Sequence, residues 1–360
     1  MFSALCLASG VTLAAEFDLS GLPRYVPPRQ EAGTIRIFGS DLAGMVRVWE
    51  QGFRRYQPGV RFADHFPSSD AGIAGLVSGV SDLGPQAREQ TVVEQLMFHE
   101  TFGHAAGSVI VATGGYDAEG MADGLVIFVN ESNPLARLTL AQLDGIFGAE
   151  RTGALRGFKW NLKSARSAGR NIRTWGQLGL TGAWAGKAIH TYGYAPTGMS
   201  QFFQLNVLRG SDKWNPNFRE YVESGTKMIA DDDRAMAGGL HQMLARELSH
   251  DPYGIAFGVL SQASGVTGVK TVALARSPSG PYVAPSPRSF QDHSYPLSRN
   301  IYIYFNRAPG QPLTPCVREF LRYIVSRQGQ EAVERKSSYL PLDAALARAQ
   351  LRRIGGAGAH

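Results

Sequence analysis

The chain has 360 residues, 44% hydrophobic and 18% charged, with a formal net charge of +6. That length admits two domains with substantial cores, and so mild a charge gives no ground to expect a nucleic-acid partner. No run of about 18 apolar residues occurs beyond the N-terminus, so nothing in the body of the sequence reads as a membrane span.

Residues Met1–Ala15 are uncharged and mostly apolar or small, ending Thr12-Leu13-Ala14-Ala15 before Glu16. This resembles the apolar stretch and cleavage site of a secretory signal, with a shortened start because Met1-Phe2-Ser3 holds no cation. Export is therefore expected, with a mature chain beginning near Ala15 or Glu16. Cleavage would remove Cys6 and leave Cys316 alone, so no intramolecular disulfide is expected. Cys316 sits among helix residues and reads as packing.

Residues 16–33 form a Pro-rich lead-in. Thr34-Ile35-Arg36-Ile37-Phe38 is β-branched and reads as a strand. Gly39-Ser40-Asp41 turns it into a helix whose apolar face is Leu42, Met45, Val46, Trp49, Phe53 and Tyr56. A second strand, 60–66, leads to Ser68, Ser69 and Asp70, all good N-cap types. Ile73, Leu76 and Val77 then share one helical face, Gly79 stops the helix, and Ser81-Asp82-Leu83-Gly84 reads as a short strand with a carboxylate at its tip. This order of strand, helix, strand, helix and strand predicts a parallel sheet covered by helices. In such sheets the strand ends line the ligand crevice. Hydroxyls and backbone N–H groups at helix starts there suit an anion, and a nearby Asp suits one that keeps a proton.

Strands are predicted over 108–113 and 124–130, with a turn at Gly114–Asp117 between them. A helix over 139–147 carries a Thr139/Gln142 capping box. From 150 to 173 the chain turns basic, with Arg151, Arg156, Lys159, Lys163, Arg166, Arg170 and Arg173 against one acid. Such a run is usually a solvated loop, although a docking surface or anion funnel has the same composition. Residues 200–208 form a third helix with hydroxyls at its start, Thr197 and Ser200. A helix over 231–250, strands over 253–260 and 270–275, a Pro- and Ser-rich loop over 279–293 and a strand over 299–306 follow. Thr314-Pro315 starts a helix with Pro at its first position. A weak helix over 343–354 and a loose tail end the chain.

No Gly-x-Ser-x-Gly elbow or P-loop occurs, and no enzyme is expected. His99-Glu100-Thr101-Phe102-Gly103-His104 resembles a zinc helix, but its His residues are five apart and do not share a face. No metal or cofactor is expected.

These residues resemble the periplasmic phosphate-binding proteins, the solute receptors of ABC phosphate importers. The likeness spans residues 34–342. Gly39-Ser40 resembles the first ligand loop, Ser69-Asp70-Ala71-Gly72-Ile73 the second, and Asp82-Leu83-Gly84 with Ala87-Arg88 the segment after it. Trp175-Gly176-Gln177-Leu178-Gly179 is similar to a recurrent phrase of the family. Thr197-Gly198 before Phe202-Phe203 resembles the third loop, and Tyr295-Pro296-Leu297-Ser298-Arg299 and Tyr339-Leu340-Pro341-Leu342 resemble the C-terminal part.

The resemblance implies an α/β fold of two lobes with a ligand cleft between them and two hinge crossovers. Residues 34–124 plus 295–342 would form lobe 1, 125–294 lobe 2, and 343–360 a C-terminal helix and tail. It implies a periplasmic, monomeric solute-binding protein for phosphate or a related small oxyanion, with the membrane subunits of an ABC importer as partner. The ligand set would be Ser40, Asp41, Ser69, Asp70, Asp82, Arg88, Thr197, Gly198, Met199 and Ser200. Within it Asp82 would accept the proton of a protonated oxyanion.

Two departures stand out. Gly193–Met199 lacks the Arg and Asp that precede the family's third loop, and Asp70 stands where Gly is usual. A carboxylate there repels a dianion, and losing an Arg removes a charge-assisted contact. The same fold therefore also suits a secreted interaction or sensor protein that has lost phosphate binding.

Overall fold

The computed structural model describes residues 17–114, 124–194, 198–221, 243–263, 265–336 and 339–355. The proposed signal segment, most of the Gly114–Asp117 turn and the greater part of the 231–250 helix lie outside these residues.

The first strand, β1 (Ala32–Phe38), pairs in parallel with β2 (Gly59–His65), in the register Ile35 to Phe62. The helix between them, α1 (Met45–Arg54), buries Met45, Val46, Trp49 and Phe53 against the sheet. It starts later than its apolar face predicts, because Leu42, Ala43 and Gly44 all have positive φ (54°, 55° and 81°). Left-handed backbone cannot continue a right-handed helix, so Ser40 and Asp41 head a loop instead. Next come α2 (Ala71–Val77) and β3 (Gly84–Gln86). A Cβ on Gly84 would lie 2.5 Å from the Gly72 carbonyl oxygen, so only glycine lets α2 approach this strand. A Thr91/Glu94 capping box opens α3 (Val92–Phe102), and β4 (Gly107–Thr113) ends this half of the lobe.

The chain then enters a second core. Every residue of β5 (Leu125–Asn130) is buried. It is followed by β6 (Arg137–Thr139) and by α4 (Leu140–Phe147), which has the expected Thr139/Gln142 capping box. A hairpin of β7 (Ala154–Arg156) and β8 (Lys159–Asn161) projects next. Then come β9 (His190–Tyr194), α5 (Gly198–Asn206), β10 (Arg219–Tyr221), β11 (Gly254–Val259), β12 (Val269–Thr271) and β13 (Ala273–Ala275). Five of these strands form one mixed sheet in the order β10-β9-β11-β5-β12. Phe257 of β11 stacks on Phe203 at 4.4 Å, and beside them Trp214 stacks on Phe218 at 4.7 Å. The Ser-rich loop holds a short helix, α6 (Pro287–Gln291), capped by Ser286.

The chain returns through β14 (Asn300–Phe305), which lies antiparallel between β3 and β4. The first lobe is therefore not wholly parallel, because this strand enters from the opposite lobe and runs against its neighbours. Three helices close the lobe: α7 (Pro315–Ile324), α8 (Arg327–Lys336) and α9 (Ala344–Gly355). The Trp49 indole N–H donates to the Gly329 carbonyl at 3.0 Å, tying α1 to α8.

Among the described residues two large buried clusters result, beside a small one of Ile73, Leu76, Phe98 and Tyr304. Ile35, Trp49, Val109, Ile301 and Phe320 belong to one, and Ile127 and Phe128 of β5, with Phe203 and Phe257, belong to the other. Tyr295 and Leu297 pack in the second core while Ile301 and Ile303 pack in the first. The chain thus crosses from the second core to the first between Leu297 and Ile301. Among the described residues no helix is long and apolar enough to cross a membrane.

Candidate functional site

The wall contributed by lobe 1 is built where β1, β2 and β3 end. The Ser40 N–H donates to the Pro85 carbonyl at 2.9 Å, and the buried Ser40 Oγ accepts from the Leu42 N–H at 3.1 Å. Asp41 accepts from the Gly44 N–H at 2.7 Å, which stabilises the left-handed loop. Gly39 is required here, since a Cβ would meet the Pro85 carbonyl at 2.5 Å. Two residues beyond Pro85, the Ala87 N–H donates to Ser69 Oγ at 3.2 Å, and the Gln86 side chain donates to the Ser69 carbonyl at 2.8 Å. Ser40 and Ser69 are thus brought to one short segment, 85–87, from distant positions in the sequence.

Arg88 follows on that segment and is buried. It donates to Glu94 through Nη1 at 2.7 Å and through Nη2 at 3.0 Å, and it also pairs with Asp70. Two carboxylates therefore hold this guanidinium, and their hydrogen bonds and charges raise its pKa against the opposing effect of burial. Asp70 stands at the start of α2 without capping it, its carboxylate turned to Arg88 instead. Next to Arg88, burial pushes the Glu89 carboxyl up, with Arg299 and Arg88 opposing that shift.

Asp82 is not brought to this group. Its carboxylate takes Arg36 Nη2 at 2.7 Å, Arg36 Nε at 3.2 Å and the Arg36 backbone N–H at 2.9 Å. It lies four residues before Gln86, about 13 Å away at the rise of an extended strand. There it borders a different cavity, of about 300 Å³, together with Phe102, Asn306 and Thr314. The parallel pairing of Ile37 with Leu83 sets this register. Residues 82–86 run alongside 36–40, so the Asp is level with Arg36 and only the far end of the segment reaches Ser40.

On the other lobe, Gly198 opens α5 and Met199 lies in its first turn, while Ser200 is buried. Thr197 lies outside the described residues. Between the lobes stands Arg299, which the family resemblance placed in a C-terminal phrase and not among the ligands. Its Nη2 donates to the Ala87 carbonyl at 2.5 Å, and its guanidinium carbon lies 5.4 Å over the ring of Phe202, two residues after Ser200. It is 3% exposed. One cation thus touches both walls. Nothing in the local sequence around Arg299 marks that role, because its position comes from the crossover and not from a neighbouring motif.

Residues 28–328 match the family model of the PBP superfamily domain. The Phosphate-binding protein PstS of Pseudomonas aeruginosa is 31% identical over 337 residues, 93% of this chain and 91% of its own length. This chain belongs to the phosphate-binding protein family of the PBP superfamily. Solved structures share its fold: an ABC-type phosphate transport receptor from Vibrio cholerae has a TM-score of 0.52 at 19% identity, covering 85% of this chain and 100% of that one. PstS from Borrelia burgdorferi has a TM-score of 0.56 at 15% identity, covering 87% and 100%. The α/β two-lobe architecture is that of this family.

In this member of the PBP superfamily the basic segment is not simply a solvated loop. Arg151 grips Asp144 through two bonds, at 2.8 and 2.7 Å, with both side chains buried. Arg166 approaches the same carboxylate at 3.4 Å. Arg173 donates to the carbonyls of Gly145, Ile146 and Gly148 at 2.7, 3.1 and 2.8 Å, closing the C-terminus of α4. Burial lowers the pKa of both Arg166 and Arg173. Arg156, Lys159, Lys163 and Arg170 remain exposed. His99 and His104 pack against aromatic rings, His99 on Phe158 at 5.4 Å and His104 on Phe98 at 5.8 Å.

Proposed function

We propose that the protein is an exported, periplasmic solute-binding protein that takes phosphate or a related small oxyanion between its lobes. It would deliver this ligand to the membrane subunits of an ABC importer. Family membership supports this reading, and one observation carries it for this chain: Arg299 links Ala87, beside Ser69, with Phe202, beside Ser200. A guanidinium there supplies the planar, charge-assisted donor that the 193–199 loop lacks. Ser40, Ser69, Thr197 and Ser200, with the backbone N–H groups at the start of α5, would complete the donor set. Gly198 and Met199 would contribute through that backbone.

A proton-bearing oxyanion also needs an acceptor. With Asp82 engaged by Arg36, Asp70 beside Ser69 is the carboxylate better placed for that role, and Arg88 would orient it. Closure of the lobes around the ligand would be hinge motion at the two crossovers.

Calorimetry of the purified mature chain against phosphate, arsenate and sulfate tests the reading. Tight binding of phosphate and arsenate with weaker sulfate is expected. A second reading keeps the fold and drops the ligand, leaving a secreted interaction or sensor protein. The Arg-free third loop and the engagement of Arg88 by Glu94 and Asp70 favour it. Binding of neither phosphate nor sulfate at millimolar concentration would establish that reading in place of the first.

A further inference from the structure

The β7–β8 hairpin of lobe 2 reaches across to lobe 1, where Phe158 at its turn lies 5.4 Å from the His99 ring on α3. Beside this contact is a cavity of about 450 Å³. Val92 comes from α3, Leu155, Arg156 and Lys163 from the hairpin and its exit, and Leu205 and Arg209 from α5 and the turn after it. Among the described residues, three cations thus line one cavity and no carboxylate lines it. None of the three forms an ion pair with a described residue. The Arg209 guanidinium donates to the Lys163 carbonyl and Ser164 Oγ to the Arg209 carbonyl, both at 3.4 Å, which keeps the two cationic residues side by side. Leu155 and Leu205, 45% and 39% exposed, line the same cavity and give it an apolar wall.

These features differ from those of the Ser40–Ser69–Arg299 region. That region offers hydroxyls and the Arg299 guanidinium, with Arg88 held by Glu94 and Asp70, which suits a bare oxyanion. A tetrahedral oxyanion takes the space of about two waters, roughly 60 Å³. The inter-lobe cavity is several times larger and half apolar, within the range of small-molecule sites. We propose that it binds a soluble organic anion, with a phosphate or sulfonate head held by Arg156, Lys163 and Arg209 and a flat apolar body lying on Val92, Leu155 and Leu205. Because α3 belongs to one lobe and the hairpin and α5 to the other, such a ligand holds the lobes together at the rim of the cleft. This goes beyond the oxyanion reading and does not rest on it.

The test is calorimetry of the full chain with 1-naphthyl phosphate, with and without saturating inorganic phosphate. Binding should persist under saturating phosphate and fall at least tenfold in an Arg156→Gln, Lys163→Gln, Arg209→Gln variant, which keeps its inorganic-phosphate titration. 1-Naphthalenemethanol, the uncharged analogue, should bind at least tenfold more weakly than the phosphate ester. Should the triple variant melt early, Lys163→Gln alone carries the comparison, with an expected severalfold loss. Phosphatidic acid vesicles should not co-sediment with the protein. Complete displacement of 1-naphthyl phosphate by inorganic phosphate, equal binding of the uncharged analogue, indifference to the substitutions, or vesicle binding abolished by them would each overturn the proposal. A chain that binds no inorganic phosphate still reports on this cavity, so failure of the oxyanion reading and failure of this one are separable.

Discussion

Arg36 closes on Asp82 through its side chain and its own backbone N–H, with Nη2 to Oδ1 at 2.7 Å, Nε to Oδ2 at 3.2 Å and N to Oδ2 at 2.9 Å. The carboxylate that the family resemblance assigned to the ligand is therefore part of a clasp between β1 and the segment before β3. Asp82→Asn should leave both phosphate affinity and the phosphate-to-sulfate ratio within about twofold of the native protein. Both side chains are partly exposed, 47% for Arg36 and 29% for Asp82. The stability cost should therefore be modest, up to about 1 kcal/mol. Parallel calorimetry and thermal melting check this, and a shift in selectivity would return Asp82 to the ligand set.

Arg299 carries the opposite expectation. Replacing it with Met removes the donor to the Ala87 carbonyl and the cation over Phe202. Phosphate binding should weaken by about 1.5–3 kcal/mol, the usual worth of a hydrogen bond to a charged group. Arg299→Lys should recover only part of that, because an ammonium lacks the planar fork. The melting profile separates a lost ligand contact from a damaged hinge. An unchanged phosphate affinity in a folded Arg299→Met protein would remove Arg299 from the site.

Asp144 should matter for stability and not for ligand. It neutralises Arg151 and Arg166, whose side chains are 2% and 5% exposed. Asp144→Ala leaves two buried guanidinium groups without their carboxylate and should cost about 3–5 kcal/mol in urea unfolding. Lys163→Gln, on the exposed part of the same basic segment, should change stability by less than about 0.5 kcal/mol.

Glu50 gives the fold a pH dependence. Burial, reinforced by the Asp64 carboxylate, pushes its pKa up to about 8 from the ordinary 4.5, and its Oε1 has no hydrogen-bond partner among the described residues. The folded protein therefore favours the neutral acid. Its contribution to stability is complete below about pH 4.5 and is lost as pH rises from there through about 8. Glu50→Gln should remove that loss, melting higher than the native protein at pH 9 by at least about 1 kcal/mol of stability, with little difference at pH 4.5. Equal melting of the two proteins at pH 9 would show that the Glu50 carboxyl does not titrate in this way.

The local elements of this protein are legible in its sequence because they depend on neighbours within a few residues. The α1 face from Met45 to Phe53, the Thr139/Gln142 capping box and the alternation of Ile301, Ile303 and Phe305 each rest on periodicity or on a side chain bonding three residues away. Ordered short phrases along the chain, from Gly39-Ser40 to Tyr339-Leu340-Pro341-Leu342, were enough to identify the family. The α8 helix was not legible, since between Arg327 and Lys336 its apolar stripe shrinks to Ala332 and Val333.

Which charged groups meet was decided by the tertiary structure alone. Asp82 and Arg36 are 46 residues apart, Arg299 and Ala87 are 212 apart, and neither pairing follows from any local pattern. The parallel register of β1 with residues 82–86 sets Asp82 level with Arg36 and Pro85 level with Ser40, and the crossover near residue 299 brings a guanidinium to both lobes. A carboxylate in a sequence motif names a chemical capacity, but the strand register and the course of the chain between cores determine which cation or ligand uses it.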